Sequence, residues 1–497
     1  MHSAPPVIRQ KLWHAGSLTY TAGGLTVLFF WLLMGDFAWA MRERSVGEMA
    51  KWYLSSLGVS GLLFALLFSS FPAAIGLVLS PIISVKSDRH RGPWGRRIPF
   101  LLITTPIAAL GMIGLGLTPF LAKKVHALMP EQSEMMVSLI CFGVFWAAFE
   151  FATIASYSVF GGLINDVVPQ EMMGRFQALF RMVSLIDGAI FNWWLFGKLP
   201  THYAVIFISI GIFYGVAFFL VCLKVKEGEY PPPPPIVPST DPWYINVGTE
   251  VKKYWNECFR NPYYVLIFFM LLVNGLTMSP FNTFSMLYRA NVGMSETLWG
   301  QLNTYSFAVS FVLSFPLGWL CDKIHPIRVT MATVALYGLS CVWSTFYVHS
   351  VGTFIFAVLM HNVLSGCFFT SSASLGARLF PRSRFAQYAS AAGFVGAVAG
   401  MFFAPCLGFI IDSSGHQGRF AYAMGALSGS VTDAAGTLPD VYAIGAVAGS
   451  LINIASKQYH YTFAIAAFMS AVALILSGLV YRRFVTYGGP YHYVAPE

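Results

Sequence analysis

Charge is scarce in this sequence. Of 497 residues only 10% are Asp, Glu, Lys or Arg, while 56% are hydrophobic and 44 are Phe. A soluble chain carries roughly 25% charged residues. So few charges cannot cover a water-facing surface, and lipid has to replace much of the water. Length alone would suggest several soluble domains, but the hydropathy overrides that reading. Cysteine chemistry is lacking as well. Cys141, Cys222, Cys258, Cys321, Cys341, Cys367 and Cys406 stand far apart, mostly in apolar runs, and match neither a disulfide framework nor a zinc site. There is no His-Glu-x-x-His, no Gly-x-Ser-x-Gly and no phosphate loop, and His14, His126, His361 and His460 belong to different segments. These absences argue against a membrane enzyme, a bound metal, any other cofactor and ATP-driven pumping within the chain. The excess of 30 Lys and Arg over 21 Asp and Glu is scattered between apolar spans, so lipid is the expected partner and nucleic acid is not. Residues 1–17 run into an apolar stretch too long for a signal-peptide core, and no cleaved leader is expected.

What the chain has in abundance is apolar runs of the length that crosses a bilayer as a helix, about 20 residues. They fall near 18–41, 54–85, 98–121, 136–165, 173–197 and 202–223, and after a polar break near 262–288, 298–321, 327–348, 352–379, 385–411 and 459–481. The expected protein is therefore all-α, with about twelve transmembrane helices in two six-helix bundles. The domains expected are 1–224, a linker at 225–260, and 261–497. Most Lys and Arg fall on one side if both termini are cytoplasmic, as the positive-inside bias requires. The linker holds the run Pro231–Pro235, which favours extended polyproline geometry. Beyond it Val247, Val251, Tyr254, Trp255 and Cys258 recur at helical spacing and predict a short amphipathic helix, either interfacial or merely solvated. A long Gly/Ala/Ser-rich external segment lies near 413–458. Gly111, Gly114, Gly116, Gly396 and Gly400 are read as points of close helix packing.

The two halves echo each other. The loop after the second span reads Ser87-Asp88-Arg89, then Gly95-Arg96-Arg97, and the loop after the eighth holds Asp322, Lys323 and Arg328. Each sets an acid beside a base, with further arginine ahead of the next span. Repeated halves are how many secondary carriers build a site near the bilayer midplane.

These loops resemble the loop motif of the major facilitator superfamily. The stretch from Ser87 to Phe100 is similar in particular to sucrose–proton symporters and the adjoining glycoside–pentoside–hexuronide cation symporters. Asp36-Phe37-Ala38-Trp39-Ala40 in the first span, and Phe145-Trp146, Glu150 and Asp166 around the fourth, resemble the same group. The resemblance implies a facilitator fold, and that Asp88, Arg89, Gly95, Arg96, Arg97, Asp322 and Arg328 latch the halves in one access state. The chain departs from the plant carriers in having no arginine between Glu150 and Asp166.

Four ionisable residues fall within the expected spans: Asp36, Glu150, Arg181 and Asp187. Each costs roughly 2.5–3.5 kcal/mol at a helix centre, so such residues face a cavity or one another. Arg181 and Asp187 are about 240° apart around their helix, which leaves Glu150 as the acid nearest in depth to Arg181. A carboxylate deprived of water prefers its proton, and a guanidinium close by favours the charged form. Glu150 with Arg181 is thus the expected proton-coupling pair, against the alternative of a fixed buried ion pair. Asp36 and Asp187 are the candidate substrate-binding acids, since carboxylates accept from sugar hydroxyls. Asn274, Asn303 and His361 are candidate polar liners of the second half, against the alternative of interhelical glue.

These residues predict a multi-pass plasma- or inner-membrane protein that acts as a monomer. Its expected activity is symport of a small sugar or glycoside by alternating access, coupled to a proton, with sodium as the other candidate ion. The competing expectations are a facilitator for a drug or organic acid, and a non-transporting sensor on the same fold. Three acids against one arginine favour a neutral substrate over an organic acid.

Overall fold

Inside a bilayer the backbone has no water to bond, and a helix satisfies its N–H and C=O groups within one segment. The computed structural model describes residues 11–230, 232, 252, 254–373, 375–381, 385–432 and 460–496. It is helical apart from one antiparallel hairpin, β1 (Trp13–Ala15) and β2 (Leu18–Tyr20). Among the described residues twelve long helices follow. The first six are α1 (Ala22–Ser56), α2 (Gly61–Arg89, with a π-turn at Leu66–Ser70), α3 (Ile98–Leu128), α4 (Glu134–Val167), α5 (Gln170–Ile190) and α6 (Leu199–Lys224). The remainder are α7 (Pro262–Asn291), α8 (Glu296–Ile324), α9 (Pro326–Tyr347), α10 (Val351–Ser372), α11 (Phe385–Thr432) and α12 (His460–Thr486). This is an all-α membrane protein.

Among the described residues ten stretches are long and apolar enough to cross a membrane, against the twelve spans expected. One of the ten is a 46-residue run, Leu179–Lys224. As a single helix it would reach about 70 Å, more than twice the hydrocarbon core of about 30 Å. Turns at Phe191–Leu195 and Phe196–Lys198, and a non-helical His202, divide it into α5 and α6. The count covers the described residues alone, and α8 contains side chains that lie outside them, at Phe315 and Asp322.

By contacts the chain forms two units, residues 1–50 with 75–237, and residues 51–74 with 238–497. In the first, α3 packs against α4 and α6. A methyl at Gly111 or Gly114 would run into Phe149 or Phe145 of α4, and one at Gly116 into Phe207 of α6. These glycines let the backbones close. Gly396 and Gly400 do not behave this way, because a methyl on either meets nothing within 4 Å.

The end of α1 and the start of α2, expected in the first domain, group with the second unit. The orphan donors of a helix start need partners, and Asp412 of α11 supplies them: its two carboxylate oxygens accept from Gly61 N and Leu62 N at 2.8 Å each. Ser69 and Ser70 donate to the Gly400 and Met401 carbonyls at 3.1 and 2.5 Å. At Gly408 a side chain would strike the Gly61 carbonyl at 2.5 Å.

Elsewhere in this unit α12 packs on α7 and α9, and α10 on α8 and α9. Residues 254–259 are helical. Cys258 turns into an aromatic core with Tyr264, Phe268, Phe380 and Tyr388, and Tyr254 donates to the Gln387 carbonyl at 3.3 Å. This part of the linker is packed on one face, while Trp255 is exposed. Most of the proline run, Val247, Val251 and nearly all side chains of 413–458 lie outside the described residues.

Candidate functional site

Helix α1 runs fifteen residues past the end of its expected span. The chain from Met41 to Ser56 contains no proline and keeps apolar residues at helical spacing, with Val46, Met49, Ala50, Tyr53 and Leu54 buried. Arg42, Glu43, Arg44 and Glu48 are therefore helical residues and not loop charges. Arg42 is buried, its guanidinium 4.1 Å from the Trp39 ring and 5.9 Å from Phe149.

On α4, Trp146, Phe149, Glu150, Thr153, Ile154 and Tyr157 recur at three- and four-residue spacing and share one face. With Arg42, Glu43 and Gly47 of α1 and Gly76 and Ser80 of α2, they line a cavity of about 400 Å³ inside the first unit. The cavity is thus lined by two acids, a guanidinium, three hydroxyl-bearing side chains and three aromatic ones, a wall suited to a small polar ligand. Arg42 and Glu150 share it without a direct ion pair among the described residues.

Arg181, the expected partner of Glu150, is exposed on α5 and does not line this cavity. The cation that does is Arg42. Asp36 and Asp187 are both buried, Asp187 completely. Neither Asp187 oxygen, nor Oδ2 of Asp36, has a hydrogen-bond partner among the described residues. One turn away from Asp187 on α5, Ser184 accepts from Arg44 at 3.2 Å, tying α5 to α1.

The expected polar liners of the second unit separate into two kinds. Asn274 donates to Ser477 of α12 at 3.2 Å, buried; it ties two helices together. Asn303 accepts from Asn362 at 2.8 Å. His361 is buried between Tyr337 and Asn282, 2.8 and 2.9 Å away.

The loop between α2 and α3 is closed by a charge network. Arg96 grips Asp166, from Nε at 2.9 Å and Nη2 at 2.5 Å, and this bond pushes its guanidinium further up in pKa. Arg97 pairs with Asp88, reaches Asp166 at 3.3 Å, and donates to Ser87 at 2.7 Å. Arg89 is half-buried at the last residue of α2. One member was absent from the sequence expectation. Glu227, just past α6, accepts from the backbone N–H groups of Arg96, Arg97 and Ile98 at 2.8–2.9 Å. It thereby caps α3, where both the free N–H groups and the helix dipole favour an anion.

Tyr230 completes the clasp. Its hydroxyl donates to Glu227 at 2.8 Å, and its ring lies 4.2 Å from the Arg96 guanidinium. Burial, then the Glu227 carboxylate, push the phenol up, so it remains a donor. Gly95 must be glycine here, with φ +93° and no room for a methyl, which would meet Glu227 at 2.5 Å. Nothing local marks Glu227; only the fold brings it back to the loop.

In the corresponding loop of the second half, Arg328 donates to the Tyr481 hydroxyl at 2.7 Å. The Asp322 side chain lies outside the described residues. Among the described residues no group of three or more His, Cys, Asp or Glu could hold a metal.

Comparison with known families and structures bears on the whole arrangement. The model of the Major Facilitator Superfamily matches residues 159–405 and 282–438. No curated protein matches the sequence. Among solved structures, a bacterial homologue of the human lysosomal transporter Spinster aligns with a TM-score of 0.66 at 12% identity, over 95% of this chain and 98% of that one. The nucleoside transporter NupG aligns at 0.60 and 10% identity, over 92% and 98%. A D-xylose–proton symporter aligns at 0.54 and 11% identity, over 78% and 90%. At these identities the likeness is one of fold.

Proposed function

The chain belongs to the major facilitator superfamily, and from that premise we propose that it is a proton-coupled symporter of a small sugar or glycoside. Its family and fold make it a secondary transporter of a small solute and not an enzyme. A sugar and a proton are supported by one observation: Glu150 and Arg42 share a single cavity with Trp146, Phe149, Tyr157, Ser80 and Thr153. Aromatic faces receive the apolar side of a sugar ring, and the polar groups receive its hydroxyls.

In this reading Glu150 carries the proton. Its carboxylate is drawn towards charge by Arg42 and towards neutrality by its apolar walls, and a change in either tips the balance. Asp36 and Asp187 are further buried acids of the same unit, and they stay candidates for binding substrate hydroxyls. The clasp of Asp88, Arg96, Arg97, Asp166 and Glu227 holds one access state, on the cytoplasmic face if the positive-inside bias sets the orientation. A neutral substrate fits the balance of charges better than an organic acid does. Among the structural relatives, the D-xylose–proton symporter combines a sugar with a proton.

The test is uptake of a panel of radiolabelled disaccharides and glycosides into proteoliposomes, with and without a protonophore. Wild-type protein should accumulate at least one of them, and the protonophore should abolish the accumulation. Glu150→Gln should lose accumulation but keep exchange of labelled for unlabelled substrate. Undiminished proton-driven accumulation by that variant would remove Glu150 from the role.

A further inference from the structure

Polar side chains buried in a membrane protein are costly unless each is hydrogen-bonded, so a line of them that ends at an exposed group calls for explanation. The second unit contains such a line. Tyr337 on α9 is buried, His361 on α10 is buried, and Asn282 on α7 is exposed. The Tyr337 hydroxyl lies 2.8 Å from His361 Nδ1, and His361 Nε2 lies 2.9 Å from Asn282 Oδ1.

The chemistry fixes the direction. An amide oxygen only accepts, so Nε2 of His361 bears the hydrogen, and Nδ1 accepts from the Tyr337 hydroxyl. The imidazole is also clamped between rings, with Phe281 at 4.2 Å and Tyr337 at 5.5 Å between centroids. Two buried residues from two helices thus fix the rotamer of one exposed amide on a third. The oxygen of that amide is occupied. Its Nδ2 has no hydrogen-bond partner among the described residues, and the residue is exposed. Nearby, Lys51 donates to the Asn282 backbone carbonyl at 3.3 Å, so the surface here presents donors.

We propose that Asn282 is a substrate-contacting residue, and that His361 and Tyr337 are positioning residues which hold its amide as a donor towards the oxygens of a neutral, oxygen-rich solute. This rests on the transport reading but not on the choice of a sugar. It also changes the part given to His361, which stands behind the contact and does not make it. A side chain that served only to tie α7 to α10 would be buried, as Asn274 is.

Two measurements decide it. The first is independent of substrate. In full-length protein whose native cysteines are replaced, Asn282→Cys should react with a membrane-impermeant, positively charged thiosulfonate at least tenfold faster than Leu339→Cys, an exposed apolar position on α9. Equal or slower reaction would place Asn282 against lipid and overturn the proposal.

The second measurement uses whichever solute the wild type accumulates. That solute should slow labelling of Asn282→Cys severalfold in vesicles of unchanged lipid composition, which separates a transported solute from a lipid headgroup. In transport, Asn282→Ala should raise KM about tenfold with kcat within twofold. His361→Phe should raise KM in the same direction, His361→Gln should restore part of the loss, and the Asn282→Ala/His361→Phe pair should be no worse than Asn282→Ala alone. Additive losses in the pair, or a fall in kcat with unchanged KM, would mean that His361 acts structurally. If no panel member is transported, the sugar reading fails while the labelling result still judges Asn282.

Discussion

At the residue scale the account turns on Arg42. Its guanidinium lies on Trp39, faces Phe149, and lines the cavity that Glu150 enters. Removing it should leave the Glu150 carboxyl without its only cationic neighbour among the residues lining that cavity. Arg42→Ala should reduce proton-driven uptake more than tenfold, Arg42→Lys less, and Arg181→Gln less than twofold, measured as initial rates at matched protein amounts. Equal losses from Arg42→Ala and Arg181→Gln would restore Arg181 as the partner. The sequence made Glu150 legible because an acid in an apolar run is anomalous. It hid Arg42 because the apolar run ends at Met41 while the helix does not. Hydropathy marks where lipid begins and ends; it does not mark where a helix stops.

At the element scale, two helix starts depend on a capping side chain, one supplied from elsewhere in the chain and one local. Glu227 caps α3 through three backbone N–H groups. Losing such a cap costs about 1–2 kcal/mol, so Glu227→Ala should lower the melting temperature of the purified protein by several degrees. Gly95→Val, which combines a forbidden φ with a clash, should lower it further. Melting curves in one detergent check both, and an unchanged midpoint in either would contradict the clasp.

The second start is that of α9, where His325 sits at φ +79° between α8 and α9 and accepts from Ile327 N–H at 3.3 Å. Burial first, then the positive charges of Arg378 and Arg328, pull its pKa down to about 4. The unfolded chain therefore binds this proton more tightly than the folded one. The stabilisation is complete above about pH 6.5 and is lost as pH falls towards 4. Melting temperature should decline over that window, and His325→Asn, which keeps a capping acceptor, should flatten the decline. Glu227 was not legible in the sequence, since no periodicity connects it to Arg96–Ile98; the His325 cap is local but rests on a positive φ that the residue type does not announce. The glycines of α3 were legible, because small residues in an apolar helix have few uses other than close approach.

At the scale of the whole molecule, composition and the spacing of apolar runs carried the fold. Lipid imposes one demand on every span, and the demand is visible in any sequence that meets it. This is why chains only 10–12% identical share the arrangement with TM-scores of 0.54 to 0.66. Site chemistry carries no such shared demand. Helices α5 and α6 fall within one apolar run because the turns that divide them keep the chain nearly continuously helical.

The central claim is that uphill movement of a solute is tied to a proton through Glu150. The most direct measurement is the external pH of a lightly buffered suspension of proteoliposomes when an accumulated sugar is added with no imposed gradient. Coupled entry predicts alkalinisation that grows with sugar concentration, is absent from Glu150→Gln, and is collapsed by a protonophore. Sugar entry at the wild-type rate with no change in pH would contradict the account.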